Sequence, residues 1–75
     1  MRIFRIYEDV SGNLDVFVKG QDETDADYMK VGTVNFELRY SGHNIYTLLA
    51  GLGVRNLTGD EAMQAGKELV WPRRW

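Results

Sequence analysis

The chain has 75 residues, a formal net charge of -2, one histidine and no cysteine. The length suits one small domain, and the missing cysteines exclude a disulfide framework and a thiolate zinc site. Hydrophobic residues make up 44% of the chain and proline occurs once, which excludes a disordered composition. We therefore expect one domain over residues 1–75 that relies on packing, with no cofactor and no metal site.

The first half of the chain predicts three strands. Residues 2–10 and 14–19 are rich in β-branched and aromatic side chains, a composition typical of strands. Residues 20–27 are polar and acidic and predict a loop, which we call the acidic loop. Residues 30–40 then alternate between apolar and polar side chains, the pattern of a half-buried antiparallel strand. The apolar side of that strand would carry Val34, Phe36, Leu38 and Tyr40.

The register of the first hairpin depends on the length of its loop. A two-residue loop would place Ile6 opposite Lys19, whereas a three-residue loop over 11–13 places Ile6 opposite Val18. We predict the longer loop because it gathers the apolar residues on one face and lets Asn13 adopt a left-handed backbone. The predicted inward face consists of Phe4, Ile6, Val10, Leu14, Val16 and Val18.

The second half of the chain predicts two helices. Apolar residues at positions 45, 48, 49 and 52 follow helical spacing, with Asn44 placed to cap the start and Gly53 to end the helix. Thr58 and Glu61 form a capping-box pattern before a second helix, which ends before Pro72. We expect Trp71 to fold back and close the core beneath this helix.

These elements predict an α+β domain of order β-β-β-α-α. A three-stranded antiparallel sheet over residues 2–40 would carry two short helices, within residues 44–70, on one face. Residues 71–75 would form a tail. The chain opens without an apolar signal region and has no apolar run of about 18 residues, so we expect a cytoplasmic protein that does not enter a membrane.

Catalytic groups are scarce in the sequence. His43 lies near Ser41, but Ser-Gly-His is not a nucleophile elbow, and one histidine needs further partners to activate a nucleophile. Gly51 and Gly53 close a helix instead of opening one, which is the wrong context for a phosphate-binding loop. We therefore predict that the protein is not an enzyme.

Three surfaces exceed what the predicted fold requires. The outer face of the sheet, turned away from the helices, would place Tyr7 directly opposite Phe17, and a contiguous apolar patch of this kind often binds a partner. The acidic loop attracts basic surfaces and repels phosphate, and the chain ends in tryptophan and arginine, residues enriched at binding hot spots. A stiffened hairpin, a solvated loop and a frayed chain end are the structural alternatives. The candidate partner-binding residues are Arg5, Tyr7, Phe17, Asp22, Glu23, Asp25, Asp27, Arg73, Arg74 and Trp75.

The expected function is therefore a non-catalytic protein-interaction module. Small chains without cofactor motifs are often regulators or inhibitors, many from bacteriophages and mobile elements, that occupy a surface of a larger host protein or complex; this is a class-level analogy. The expected partner is a protein, such as one with a basic surface, and a homodimer through the outer face would use the same patch. A single-stranded nucleic-acid-binding sheet is the alternative, although the acidic balance counts against nucleic acid as a partner.

Overall fold

Two antiparallel strands rich in β-branched and aromatic residues form the centre of the sheet in the computed structural model, which describes residues 1–75. The fold is α+β, as predicted, but the sheet has four strands in the order β3-β2-β1-β4 and is mixed, because β4 pairs parallel to β1. The prediction of a three-stranded antiparallel sheet with two helices was wrong in these details. The elements are β1 (Arg2–Glu8), β2 (Leu14–Gly20), a 3-10 turn (Asp25–Asp27), β3 (Met29–Val34), α1 (Phe36–Arg39), α2 (Ile45–Gly51), α3 (Gly59–Val70) and β4 (Arg73–Arg74).

The β1–β2 hairpin has a five-residue loop and not the predicted three-residue loop. Ile6 lies opposite Val16, two positions away from the predicted partner Val18. The Asp9 carboxylate accepts hydrogen bonds from two backbone N–H groups of the loop, at 2.8 and 3.0 Å, so an Asx-type turn fixes the longer loop. Gly12, not Asn13, adopts the left-handed backbone, with φ of 83°. Val10, predicted to be in the core, is fully exposed in this loop.

The strand predicted over 30–40 ends at Val34. Val34 pairs with Leu14, the first residue of β2, so a longer β3 would extend past the end of its neighbour and leave its backbone groups unpaired. Asn35 instead caps the short helix α1, its side chain accepting a hydrogen bond from the Leu38 N–H at 2.8 Å. Three residues on the apolar side of the predicted strand are consequently exposed: Phe36, Leu38 and Tyr40.

The two predicted helices form with the predicted caps. The Asn44 side chain accepts from the Thr47 N–H at the start of α2, and Thr58 and Glu61 complete a capping box at the start of α3. At one edge of β1, strand β4 pairs only with Tyr7 and Glu8. Helix α3 covers the rest of this edge. Three of its polar side chains, one turn apart, accept hydrogen bonds from alternate β1 N–H groups, which blunts this sheet edge. The pairs are Glu61 with Arg2, Gln64 with Phe4 and Glu68 with Ile6.

The core lies between one face of the sheet and the helices. Five of the six residues predicted to face inward do so, with Val18 partly buried and Val10 the exception. Val31 also packs against this core, and Glu37 and Arg39 belong to α1. The central buried cluster is Phe4, Ile6, Leu14, Val16, Val34, Leu48, Leu49 and Ala65.

Part of the predicted tail joins the sheet. Arg73 and Arg74 pair with Tyr7 and Glu8 as strand β4. Trp71, predicted to close the core, is 80% exposed; its backbone N–H still bonds to Lys67, so the residue ends α3 with its indole directed away from the core. None of the helices is long and apolar enough to cross a membrane.

Candidate functional site

The outer face of the sheet carries a cluster of aromatic side chains. Tyr7 and Phe17 meet edge to face, with ring centroids 5.8 Å apart, a favourable geometry for two aromatic rings. The prediction that the two residues are directly opposite was wrong. The register differs by two residues, which places Tyr7 opposite Asp15 and Phe17 opposite Arg5. The rings meet diagonally across the two strands, a separation that aromatic side chains can span.

Trp75 covers this pair from the end of the chain. Its backbone N–H bonds to the carbonyl of Glu8 at 3.3 Å, which continues the pairing of β4. The indole stacks on Tyr7, with centroids 4.2 Å apart and planes 14° from parallel, and meets the edge of Phe17 at 5.9 Å. The indole Nε1–H donates to the Asp15 carboxylate at 2.8 Å. Trp75 is nevertheless 67% exposed, so the ring is fixed in place while much of its surface remains accessible.

Asp15 is the polar anchor of the indole. It also accepts a hydrogen bond from the Thr33 hydroxyl at 2.8 Å and lies 3.4 Å from the Lys30 ammonium. Partial burial raises the pKa of Asp15, but the hydrogen bonds from Thr33, Trp75 and Lys30 outweigh it and hold the pKa below its ordinary value. The carboxylate is therefore charged near neutral pH and accepts a charge-assisted hydrogen bond from the indole.

Tyr28 closes the cluster on the side of the acidic loop. The Arg5 guanidinium lies over the Tyr28 ring, with its central carbon 4.4 Å from the ring centroid, a cation–π contact. Arg5 also reaches within 3.7 Å of the Asp25 carboxylate, so this contact ties the loop to the sheet. We call the surface formed by Tyr7, Phe17, Tyr28 and Trp75 the aromatic patch; with Arg5 and Asp25 these residues line a shallow cavity of about 210 Å³.

Sequence reasoning identified most of this patch and missed Tyr28. The tyrosine directly follows the acidic run, and no periodicity assigns it to a face because the chain leaves its 3-10 turn at that residue. The position of Trp75 on Tyr7 also could not be read from a local pattern, although the residue itself was a candidate. The sequence offered one signal for these two residues: Tyr28 directly follows a polar segment, and Trp75 is the last residue of the chain.

The four predicted acidic residues of the loop differ in the contacts that they make. Glu23 accepts a hydrogen bond from the Gly20 N–H at 2.5 Å, and Asp27 accepts one from the Thr24 N–H at 2.9 Å, so both shape the loop. Asp25 pairs with Arg5, and Asp22 is exposed without a hydrogen bond or ion pair. All four carboxylates lie on the exposed loop, but no group of three or more acidic or histidine side chains converges on a point that would hold a metal ion.

The two predicted arginines of the tail lie apart from the aromatic patch. Arg73 bonds to Glu68 of α3 at 3.3 Å, and Arg74 pairs with Glu8 at 3.2 Å. Side chains alternate along a strand, so Arg74 and Trp75 lie on opposite faces of the sheet. The structure therefore joins Arg5, Asp25 and Trp75 in one surface and places Arg74 in another.

His43 lies in the exposed turn before α2. Its Nδ1 hydrogen-bonds to the Ser41 hydroxyl, and no carboxylate bonds to its ring. Comparisons with family models, with curated proteins and with solved structures find no match for this chain.

Proposed function

We propose that the protein is a non-catalytic protein-interaction module that occupies a surface of a larger protein, with Trp75 as its anchor residue. The supporting observation is the combination of exposure and fixation at this indole. Its stacking on Tyr7 and its hydrogen bond to Asp15 hold one conformation, while 67% of the residue remains exposed. A fixed side chain loses little conformational entropy on binding, and tryptophan is among the residues most enriched at hot spots.

The charge around the aromatic patch favours a basic partner surface. Asp25 lines the cavity of the patch, and the exposed Asp22 belongs to the same acidic loop. Carboxylates in this position would steer a basic protein surface toward the indole and would repel an acidic one. In this proposal the protein acts as a small regulator or inhibitor by covering that surface, the mode common among small phage and mobile-element proteins.

An affinity-capture experiment with matched variants tests the proposal. The tagged protein, its Trp75→Ala variant and its Tyr46→Ala variant are each used to capture proteins from the native host. Tyr46 is the control because it is an exposed aromatic residue on α2 with no contact to the aromatic patch. We expect the wild type and Tyr46→Ala to retain the same larger protein, and Trp75→Ala to lose it.

Direct binding to the purified partner then tests the charge argument. Asp22→Lys should weaken binding at low salt, mainly through the association rate, because rim charges act on encounter. The control is Asp60→Lys, which makes the same charge change at the exposed start of α3. Equal capture by Trp75→Ala and the wild type, or equal effects of the two charge reversals, would contradict the proposal.

A single-stranded nucleic-acid-binding sheet is the second candidate. The observation in its favour is that Arg5 and Lys19 both lie over the half-buried Tyr28 ring, and a cation beside an aromatic ring is the combination that stacks bases and neutralises phosphates. The indole already covers Tyr7, however, and the acidic loop borders the same face. Salt-dependent binding of a labelled oligothymidylate, lost in Trp75→Ala, would support this alternative over a protein partner.

A further inference from the structure

A second exposed surface lies on the other face of β4, where the aromatic patch does not extend. One wall of this groove is Tyr40 from the end of α1, and the other is the segment 70–72, which connects α3 to β4. The three largest apolar side chains on these walls, Tyr40, Val70 and Trp71, are all exposed. We call this surface the arginine groove; it has a volume of about 430 Å³ and is lined by Glu8, Arg39, Tyr40, Val70, Trp71, Pro72 and Arg74.

The floor of the arginine groove carries an excess of positive charge. The Glu8 carboxylate hydrogen-bonds to Arg39 and lies 3.2 Å from the Arg74 guanidinium. The hydrogen bond from Arg39 outweighs the opposing effect of burial and, with the charge of Arg74, holds the pKa of Glu8 below its ordinary value. Glu8 is therefore ionised, and the two arginines against one carboxylate leave a net charge of +1.

The two arginines differ in their exposure and in the number of contacts that they make within the protein. Arg39 is mostly buried and also donates to the Gly12 carbonyl at 3.1 Å, so it supports the loop of the first hairpin. The Arg74 side chain is 80% exposed and makes a single ion pair, with Glu8. A guanidinium has five N–H donors in a planar fork, and most of those of Arg74 face the groove or solvent.

Trp71 is held at the rim of the groove by its backbone. Its N–H bonds to the Lys67 carbonyl at 3.0 Å, and the next residue, Pro72, has a fixed backbone torsion before β4 begins. The backbone that carries the exposed indole is therefore held in place, next to an arginine with free donors. This arrangement offers an apolar contact and an anion contact side by side.

We propose that the arginine groove binds an acidic segment of another protein in which a large apolar side chain lies next to carboxylates. The charge complementarity is specific: Arg74 can form a bidentate pair with one carboxylate, while an apolar side chain of the same segment packs between Trp71 and Tyr40. Nucleic acid fits less well, because a net charge of +1, with one exposed arginine, is small for a surface that follows a phosphate backbone.

This surface is separate from the aromatic patch, and its partner carries the opposite charge. Trp75 and Arg74 are adjacent in the chain, yet one contacts Tyr7 on the outer face and the other contacts Glu8 on the opposite face. A protein with both surfaces would contact a basic surface and an acidic segment at the same time. The proposal stands without the aromatic patch, since no residue is shared between the two.

Nuclear magnetic resonance of the two indole groups provides the test. The chain has two tryptophans, so a ¹⁵N-labelled sample shows two indole N–H signals, which a Trp71→Phe variant assigns. The probe is a synthetic peptide in which three aspartates flank a phenylalanine and a leucine; its counterpart has lysines in place of the aspartates. We expect the aspartate peptide alone to shift the Trp71 signal and to leave the Trp75 signal unchanged.

Two variants separate the groove from general charge effects. Arg74→Glu should weaken the aspartate peptide roughly tenfold, the value of one strong charge-assisted contact. Arg55→Glu is the control, because it makes the same charge change at an exposed residue with no ion pair and should alter the affinity by less than about twofold. Trp71→Ala keeps every charge and should also weaken binding of the aspartate peptide. This variant tests the groove even if Arg74→Glu impairs folding by placing a glutamate beside Glu8.

Several results would overturn the proposal. Equal shifts from the aspartate and lysine peptides would show that charge plays no part. A Trp71 signal that moves with protein concentration in the absence of peptide would show that a second copy of this chain covers the groove. A larger response to oligothymidylate than to the aspartate peptide would assign the groove to nucleic acid instead.

Discussion

Glu61 is the buried charge on which the attachment of α3 to the sheet depends. It is 4% exposed, and its two carboxylate oxygens accept four hydrogen bonds. Three come from Arg2, through the backbone N–H at 2.7 Å, Nε at 2.8 Å and Nη2 at 3.0 Å, and one comes from the Thr58 N–H at 2.9 Å. The carboxylate therefore caps its own helix and anchors the first residue of β1 at once.

We predict that Glu61→Gln destabilises the protein by about 3 kcal/mol. One oxygen becomes an NH2 group, which faces two donors of Arg2, so two hydrogen bonds to a charged group are lost at roughly 1.5 kcal/mol each. We take the lower end of the energy range for a hydrogen bond to a charged group, because the Arg2 side chain is 35% exposed and water can replace part of the lost bonding. A domain of this length is stable by roughly 4–11 kcal/mol, so the melting temperature should fall by roughly 12–24 °C.

Urea and thermal unfolding followed by circular dichroism measure this change. Asp60→Asn is the matched control: it removes the same charge from the first turn of α3, but the residue is exposed, and the loss of a helix-dipole interaction costs about 0.3–1 kcal/mol. A difference of less than about 1 kcal/mol between the two variants would refute the reasoning, because no special role would remain for the bonds to Arg2.

The same carboxylate predicts how stability changes with acid. The hydrogen bonds from Arg2, the largest influence, hold the pKa of Glu61 well below its usual range despite burial. A carboxyl whose pKa is lower in the folded state stabilises the fold above the unfolded pKa of about 4.3, and this contribution is lost as the pH falls further. The free energy of unfolding should therefore decline below about pH 4.3, and more shallowly in Glu61→Gln than in the wild type.

Four further substitutions test the fold. Gln64→Ala removes both hydrogen bonds to the Phe4 backbone, each 2.7 Å, and should cost about 1–3 kcal/mol in urea unfolding; an unchanged midpoint would contradict the role of α3 in covering the β1 edge. Asn35→Ala removes the cap of α1 and should cost about 1 kcal/mol, whereas no loss would mean that α1 does not need its cap. Leu14→Ala should cost about 2–5 kcal/mol and the exposed Val10→Ser less than about 0.5 kcal/mol, while comparable losses would restore the predicted hairpin register.

The hairpin shows what a residue pattern can and cannot specify. The register differs from the predicted one by two positions, and side chains alternate with a period of two. The inward face therefore stayed the same, and Phe4, Ile6, Leu14 and Val16 are buried as predicted. The choice between the two registers depends on the Asp9 side chain, which bonds to its own loop and leaves Val10 outside.

Residues 35–40 show a local pattern overruled by the neighbouring strand. Their alternation is typical of a strand, but β2 offers no backbone partner beyond the pair between Leu14 and Val34. A helical turn satisfies its own backbone groups, and Asn35 is a residue that caps one. This difference moved Tyr40 from the expected core to the wall of the arginine groove.

The length and the lack of cysteine predicted a small fold held by packing, and the patterns predicted the inward sheet face, two helices and their caps. These features depend on neighbours within a few residues, so the sequence alone carries them. The tertiary structure decided the surfaces. Trp71 was expected inside and lies exposed, while Trp75 was expected at a chain end and is fixed on Tyr7. The net charge of -2 likewise divides into an acidic loop and a separate arginine groove, because contacts between residues distant in the chain decide which charges meet.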